Sequence, residues 1–196
     1  MEIGSGTKRK EAGGFGGRIL QAVIGSRIFR GGNDSPQTED HGHNVGDLLD
    51  GLPSGFFVLH GIRSRKGPID HVLVGPKGIF VLKIRANREI ITVFRDQIFR
   101  NGRTCDGDRE LMTQIRQECR AVQELLAGRG ITEPKPQPLI VFMNATVGVQ
   151  GTSGGMEILD RNALPAFMKA RKDVISSKEA EGIFEYLKIG NADSPL

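Results

Sequence analysis

Asp70, Lys83 and Arg85 are the residues around which chemistry could be organised. They belong to the run Pro68 to Arg85, which reads as two short apolar strands, Ile69–Val74 and Ile79–Arg85, joined by the turn Gly75-Pro76-Lys77-Gly78. Strand side chains alternate, so residues at i and i+2 share a face. An acid on one strand and an acid-x-lysine pair on its neighbour therefore converge. Two such carboxylates hold a divalent ion, usually Mg²⁺, through hard oxygen ligands. The ion polarises a phosphate, and the lysine orients or deprotonates the attacking water. Here Asp70 supplies the first acid, but the second strand presents two cations of one parity, Lys83 and Arg85.

Replacing a carboxylate with an ammonium changes the local charge by two units. Two like charges a few ångströms apart repel by roughly 4 kcal/mol at an effective dielectric near 20, and a divalent ion feels about twice that. Asp70 alone makes no tight Mg²⁺ site. The expectation is a Lys83–Asp70 pair that replaces the metal structurally and leaves a basic cleft. The plainer account of Asp70 is a strand-end acid paired with Lys83 or Arg85. Arg63, Arg65 and Lys66 form a loop cluster beside the site, either a solvated face or a grip for phosphates. His60 and His71 read as structural, since neither has a second metal-type partner at a telling spacing. Aromatic residues are 6% of the chain, which gives a stacking platform for single strands little support.

The elements that must position these residues follow from periodicity. Residues 1–43 read as a flexible arm, basic and Gly-rich; its segment 18–30 reads first as a helix packed on its own domain or a loosely ordered stretch, and alternatively as an amphipathic helix that could meet a protein partner or a membrane surface. Val45, Leu48, Leu49 and Leu52 fit a short helix ended by Pro53. Phe56–Leu59, the hairpin strands, Ile90–Phe94 and Gln97–Arg100 are β-rich, with Asn101-Gly102 a strong turn. Leu111, Ile115, Cys119, Val122 and Leu126 fall on one helical stripe, with Asp108 placed to cap its start and Gly128 its end. Pro134, Pro136 and Pro138 enforce an extended crossover into Leu139–Met143, a run typical of a strand buried on both faces. Met156–Leu159 is a further strand, and Ser176-Ser177-Lys178-Glu179 is a capping box opening a last helix. This order predicts an α/β fold, a mixed β-sheet flanked by helices, with a tail at 190–196.

A chain of 196 residues can bury a sizeable core as one domain. The net charge of +4 suits an anionic partner without requiring one. Cys105 and Cys119 are too few for a disulfide framework; Cys119 reads as a buried thiol in a reducing compartment. No signal peptide and no run approaching a membrane span is read, so the expected location is the cytoplasm.

Gly55-Phe56-Phe57-Val58-Leu59-His60-Gly61-Ile62, followed by Ile69 to Leu82, resembles the nuclease-related (NERD) domain, a branch of the PD-(D/E)XK nuclease-like superfamily. The likeness continues through Ile91-Thr92-Val93 and Phe99-Arg100-Asn101-Gly102-Arg103 to Gln114, Leu139–Phe142 and Asn144, and spans Val45 to Leu187. It implies a restriction-endonuclease-like core over about residues 44–189. Asp70 then matches the family's strand aspartate, a metal ligand, and Gln114 its helix-borne glutamine. The family's Glu-x-Lys falls on Lys83 and Arg85, and no acid holds the usual place ahead of Val45. The leading expectation is a degenerate domain that binds nucleic acid, DNA ahead of RNA, through Arg63, Arg65 and Lys66, with hydrolysis impaired and no cofactor. An active Mg²⁺-dependent nuclease whose second acid has migrated to Glu39, Asp47 or Glu89 is the alternative. An adaptor acting through residues 18–30 is a third.

Overall fold

The computed structural model describes residues 20–23, 46, 48, 49, 51–86, 88–94, 97–148 and 151–192. In chain order the strands are β1 (Leu20–Val23), β2 (Phe57–Ser64), β3 (Gly67–Gly75), β4 (Gly78–Arg85), β5 (Ile90–Phe94), β6 (Gln97–Arg100) and β7 (Arg103–Thr104). The long helix α1 (Asp106–Ala127) is followed by β8 (Gln137–Phe142), β9 (Thr146–Val147), β10 (Gly151–Ser153) and β11 (Met156–Asp160). Helices α2 (Ala163–Ala170) and α3 (Ser177–Ala192) close the described chain. The fold is α/β, with a seven-stranded mixed sheet ordered β1-β2-β3-β4-β8-β11-β10 and helices on its faces. The β2–β3–β4 meander is antiparallel, whereas β8 runs parallel to both β4 and β11.

Alternation along β4 divides the core into two. Ile79 and Val81 join the cluster built from α1, α3 and the second sheet; Phe80 and Leu82 join the one built from Leu48, Leu49, Leu52 and α2. With both faces covered, Leu139 to Phe142 of β8 read as an unbroken apolar run and are fully buried. Two glycines shape the meander. A Cβ on Gly75 would lie 2.3 Å from Phe56 Cδ1, so only glycine lets that ring cross the strand. Gly61 takes φ +64°, and β2 runs on past it to Ser64, well beyond the expected end at Leu59.

Other expectations are corrected. Leu20–Val23, inside the segment read as a helix or a loosely ordered stretch, is a strand parallel to β2; the rest of 18–30 lies outside the described residues. The edge of β2 offers unpaired backbone groups that a short isolated helix could not match for stability. Strands β5 and β6 leave the main sheet for a second, four-stranded one ordered β7-β6-β5-β9. Asp70 is not at a strand mouth but within β3. Helix α1 starts at Asp106, and Asp108 does not cap it: its carboxylate is taken by Arg100. The capping box of α3 forms as read, Ser176 N–H donating to Glu179 Oε2 at 2.7 Å and Glu179 N–H to Ser176 Oγ at 3.2 Å.

Candidate functional site

The register that sets His71 opposite Leu82 and Val72 opposite Val81 carries Asp70 to a place across from Lys83. On the same face lies α1, whose inward stripe Leu111, Ile115, Cys119, Val122 and Leu126 is buried against the sheet. That packing brings a residue the strand pattern does not foretell, Glu118, down onto Lys83. Lys83 Nζ lies 2.7 Å from Asp70 Oδ2 and 2.7 Å from Glu118 Oε1. Gln114, one helical turn before, donates from Nε2 to the same Glu118 oxygen at 3.0 Å. The Lys83 side chain is 2% exposed, that of Glu118 8% and that of Asp70 48%, so the cluster opens to solvent on the Asp70 side.

Two corrections follow. The cleft is not basic at its floor: the ammonium is buried between two acids, and with both ionised the trio carries one net negative charge. Among the described residues the second acid beside Lys83 is Glu118, which the sequence reading did not propose. Glu89 is bound to Arg100 at 2.9 Å, while Glu39 and Asp47 lie outside the described residues. A signal for Glu118 did exist. It falls between Ile115 and Val122 at i+3 and i−4 of the inward stripe, and a charge at a core position is rare without a partner.

Burial pushes the Glu118 carboxyl above the ordinary glutamate range; Lys83 and Gln114 pull it back, and the nearby charge of Asp70 adds to the rise. Glu118 Oε2 is buried without a hydrogen-bond partner among the described residues. Leaving a polar atom so costs about 1–3 kcal/mol, and a proton on that oxygen would remove its share of the charge. Arg85, one step beyond Lys83 on the same face, is half-buried, and its guanidinium donates to the carbonyl of Ile84 at 3.4 Å.

The arrangement does not fit a divalent ion as it stands. Mg²⁺ needs near-octahedral oxygen ligands at about 2.0–2.1 Å. An ion that close to Asp70 Oδ2 and Glu118 Oε1 would coincide with the ammonium that bridges them. Among the described residues, no group of three or more His, Cys, Asp or Glu gathers where it could hold a metal.

Arg63, Arg65 and Lys66 are exposed at the β2–β3 hairpin tip, where Arg65-Lys66 forms the turn. Lys66 Nζ reaches Glu124 Oε1 of α1 at 2.6 Å, with both side chains largely in water. The tip borders a groove of about 300 Å³ against Glu124, Gly128 and Tyr186. From Lys66 to Asp70 the strand runs roughly 13 Å, at about 3.3 Å per residue. Asn144 donates to the carbonyl of Ala86 at 3.1 Å and so pins the end of β8 to the chain leaving β4.

The family profile described as NERD, the nuclease-related domain, matches residues 38–143, more than half of the chain. That span holds Asp70, Lys83, Arg85, Gln114 and Glu118. No curated protein and no solved structure matches the chain. With the mixed sheet, the β3–β4 hairpin and the helix-borne glutamine in place, this chain belongs to the NERD, or nuclease-related domain, family.

Proposed function

We propose that this NERD domain binds nucleic acid, DNA ahead of RNA, and does not hydrolyse it by a metal-ion route. One observation carries the reading: the Lys83 ammonium stands between Asp70 and Glu118, 2.7 Å from each, in the space a divalent ion would need. A buried ammonium can offset one of the two carboxylate charges and orient both groups, but it is no Lewis acid and cannot polarise a phosphate or lower the pKa of a water as a metal ion does. Lys83 lies too deep to touch a phosphate, so contact falls to Arg85 at the site's rim and to Arg63, Arg65 and Lys66 at the hairpin tip. An exposed pair such as Lys66–Glu124 holds by about 0–1 kcal/mol, little enough for a phosphate to displace the acid. The domain then acts as a binding subunit of nuclease-like shape. Its two unpaired cysteines, Cys105 exposed and Cys119 buried, fit the reducing cytoplasm. Among the described residues no helix is long and apolar enough to cross a membrane.

A second reading is favoured by Glu118 itself. Two carboxylates and one lysine are the inventory of a metal-dependent phosphodiesterase, with the second acid supplied from the helix. That reading requires Lys83 to leave its place between the acids. The experiment is a Mg²⁺ and Mn²⁺ titration with plasmid and single-stranded DNA, comparing wild type with Asp70→Ala and Glu118→Gln. Binding that weakens with salt, without cutting, is expected. Metal-dependent cutting that disappears in both variants would establish the second reading, and absence of binding to any nucleic acid would sink the first.

A further inference from the structure

On the opposite face of the sheet from Lys83, the β2–β3 register sets His60 directly across from His71. Their Nδ1 atoms are 2.8 Å apart, and the rings meet edge to face with centroids 5.0 Å apart. Two facing imidazole Nδ1 atoms share one hydrogen at most, so one ring must be the Nδ1–H tautomer and the other must offer its lone pair. A divalent ion of the imidazole-binding class can take that hydrogen's place once the Nδ1–H ring has moved its proton to Nε2, so that both Nδ1 lone pairs face the ion and both rings stay neutral. At metal–nitrogen distances of about 2.0–2.1 Å, two ligands at a right angle have their nitrogens about 2.9 Å apart, and two at the tetrahedral angle about 3.4 Å. The observed separation matches the right-angle bite. That geometry belongs to square-planar or octahedral late transition ions such as Ni²⁺ and Cu²⁺, not to a structural four-ligand zinc site.

We propose that His60 and His71 form a two-imidazole chelate for a late first-row divalent ion, held across β2 and β3, with water filling the remaining positions. Three observations support it. The two rings sit on paired strands, so their separation is fixed by backbone hydrogen bonds rather than by flexible loops. Neither ring is sealed in the core, so solvent can reach the pair, chiefly from the His60 side. The rings meet edge to face rather than stacking, which keeps both Nδ1 atoms at the point of contact. Asp70 and Lys83, the charges beside His71, cancel to first order and do not repel a cation. The chelate is independent of the nucleic-acid reading, since it uses the other face of the sheet.

The test is Ni²⁺ titration calorimetry at pH 7.5 on the full chain without a polyhistidine tag, with thermal melts in parallel. His60→Gln and His71→Gln serve as separate variants, each checked for folding by its melt. Wild type is expected to bind one Ni²⁺ and, at about a hundred times the dissociation constant, to melt about 5–10 °C higher. Each variant should lose at least tenfold in affinity and lose that rise in melting temperature. His60→Gln, at the more exposed ring, keeps the test valid should His71→Gln fold poorly. Mg²⁺, a hard ion, should bind neither form at this pair. Ni²⁺ affinity unchanged in His60→Gln, or no Ni²⁺ binding by the folded wild type, would overturn the proposal.

Discussion

Two cations in this protein each stand between a pair of carboxylates, and α1 supplies one acid to each pair. Arg100 of β6 donates from Nε to both Asp108 oxygens, at 2.9 and 2.8 Å, and from a terminal nitrogen to Glu89 at 2.9 Å. Lys83 of β4 bridges Asp70 and Glu118. The guanidinium fork satisfies Asp108 bidentately and fixes where α1 begins, and these bonds to Asp108 push the arginine further above its already high range. The ammonium is a point charge. It leaves Glu118 Oε2 without a partner among the described residues and Asp70 half in water. The first cluster is finished and joins elements; the second is unfinished and faces solvent through one acid. Among the described residues Ser153 Oγ is also buried without a partner, but only the Lys83 cluster joins such an atom to charged groups and an opening to solvent, which marks it as the candidate site.

Removing either cation should have the largest effect on stability. Arg100→Ala and Lys83→Ala each strand two acids, and losing one partner of a buried ion group costs about 3–5 kcal/mol. Melting temperatures should fall by roughly 6–20 °C for a chain of this size. Divalent ions should separate the two: Mn²⁺ should recover part of the loss in Lys83→Ala, where the acids become a cation site, and none in Arg100→Ala.

The pH dependence of stability should separate the two faces of the sheet. His71 is held down to about 4 by burial, with the His60 charge adding. Its unfolded form takes up a proton first, so the stability it gives is full above about pH 6.5 and is lost as pH falls towards 4. The loss is on the order of 2–3 kcal/mol, and His71→Gln should flatten it in urea melts across that window. Glu118 has the opposite sign. Its folded pKa is raised, so its contribution is present below the ordinary glutamate range and lost as pH rises through the folded value. Glu118→Gln should remove that decline, whereas Asp108→Asn should destabilise without removing it.

The smallest stability effect belongs to the hairpin tip. Arg65→Ala with Lys66→Ala should move stability by under about 1 kcal/mol, since the charges are exposed. The same pair should weaken DNA binding and lower the slope of log affinity against log salt by about 1 for each phosphate no longer held. An unchanged slope would clear the tip of any part in binding.

Much of the scaffold was legible because it rests on local periodicity. The β3–β4 hairpin, the stripe of α1, the capping box at Ser176 and the apolar run of β8 each carry their own signal within a few residues. The Asp70–Lys83 contact was legible too, since it needs only one hairpin register. What the chain hid depends on contacts between distant segments. Glu118 reaches Lys83 only because α1 packs at one rotation over β4, and the sequence marks this merely as a charge between Ile115 and Val122. His60 and His71 look unrelated at eleven residues apart until Gly61 and the hairpin turn set their register. The departure of β5 and β6 into a second sheet and the parallel strand at Leu20–Val23 leave no pattern of their own, because pairing partners are not written in either strand.

The central claim is that Lys83 occupies the place of a divalent ion, and Mn²⁺ binding measured by calorimetry and electron paramagnetic resonance tests it most directly. The account predicts no specific Mn²⁺ binding to wild type at millimolar concentration. Lys83→Ala should acquire one site, which Lys83→Ala combined with Glu118→Gln should lose. Specific Mn²⁺ binding to wild type that disappears in Asp70→Ala would contradict the account.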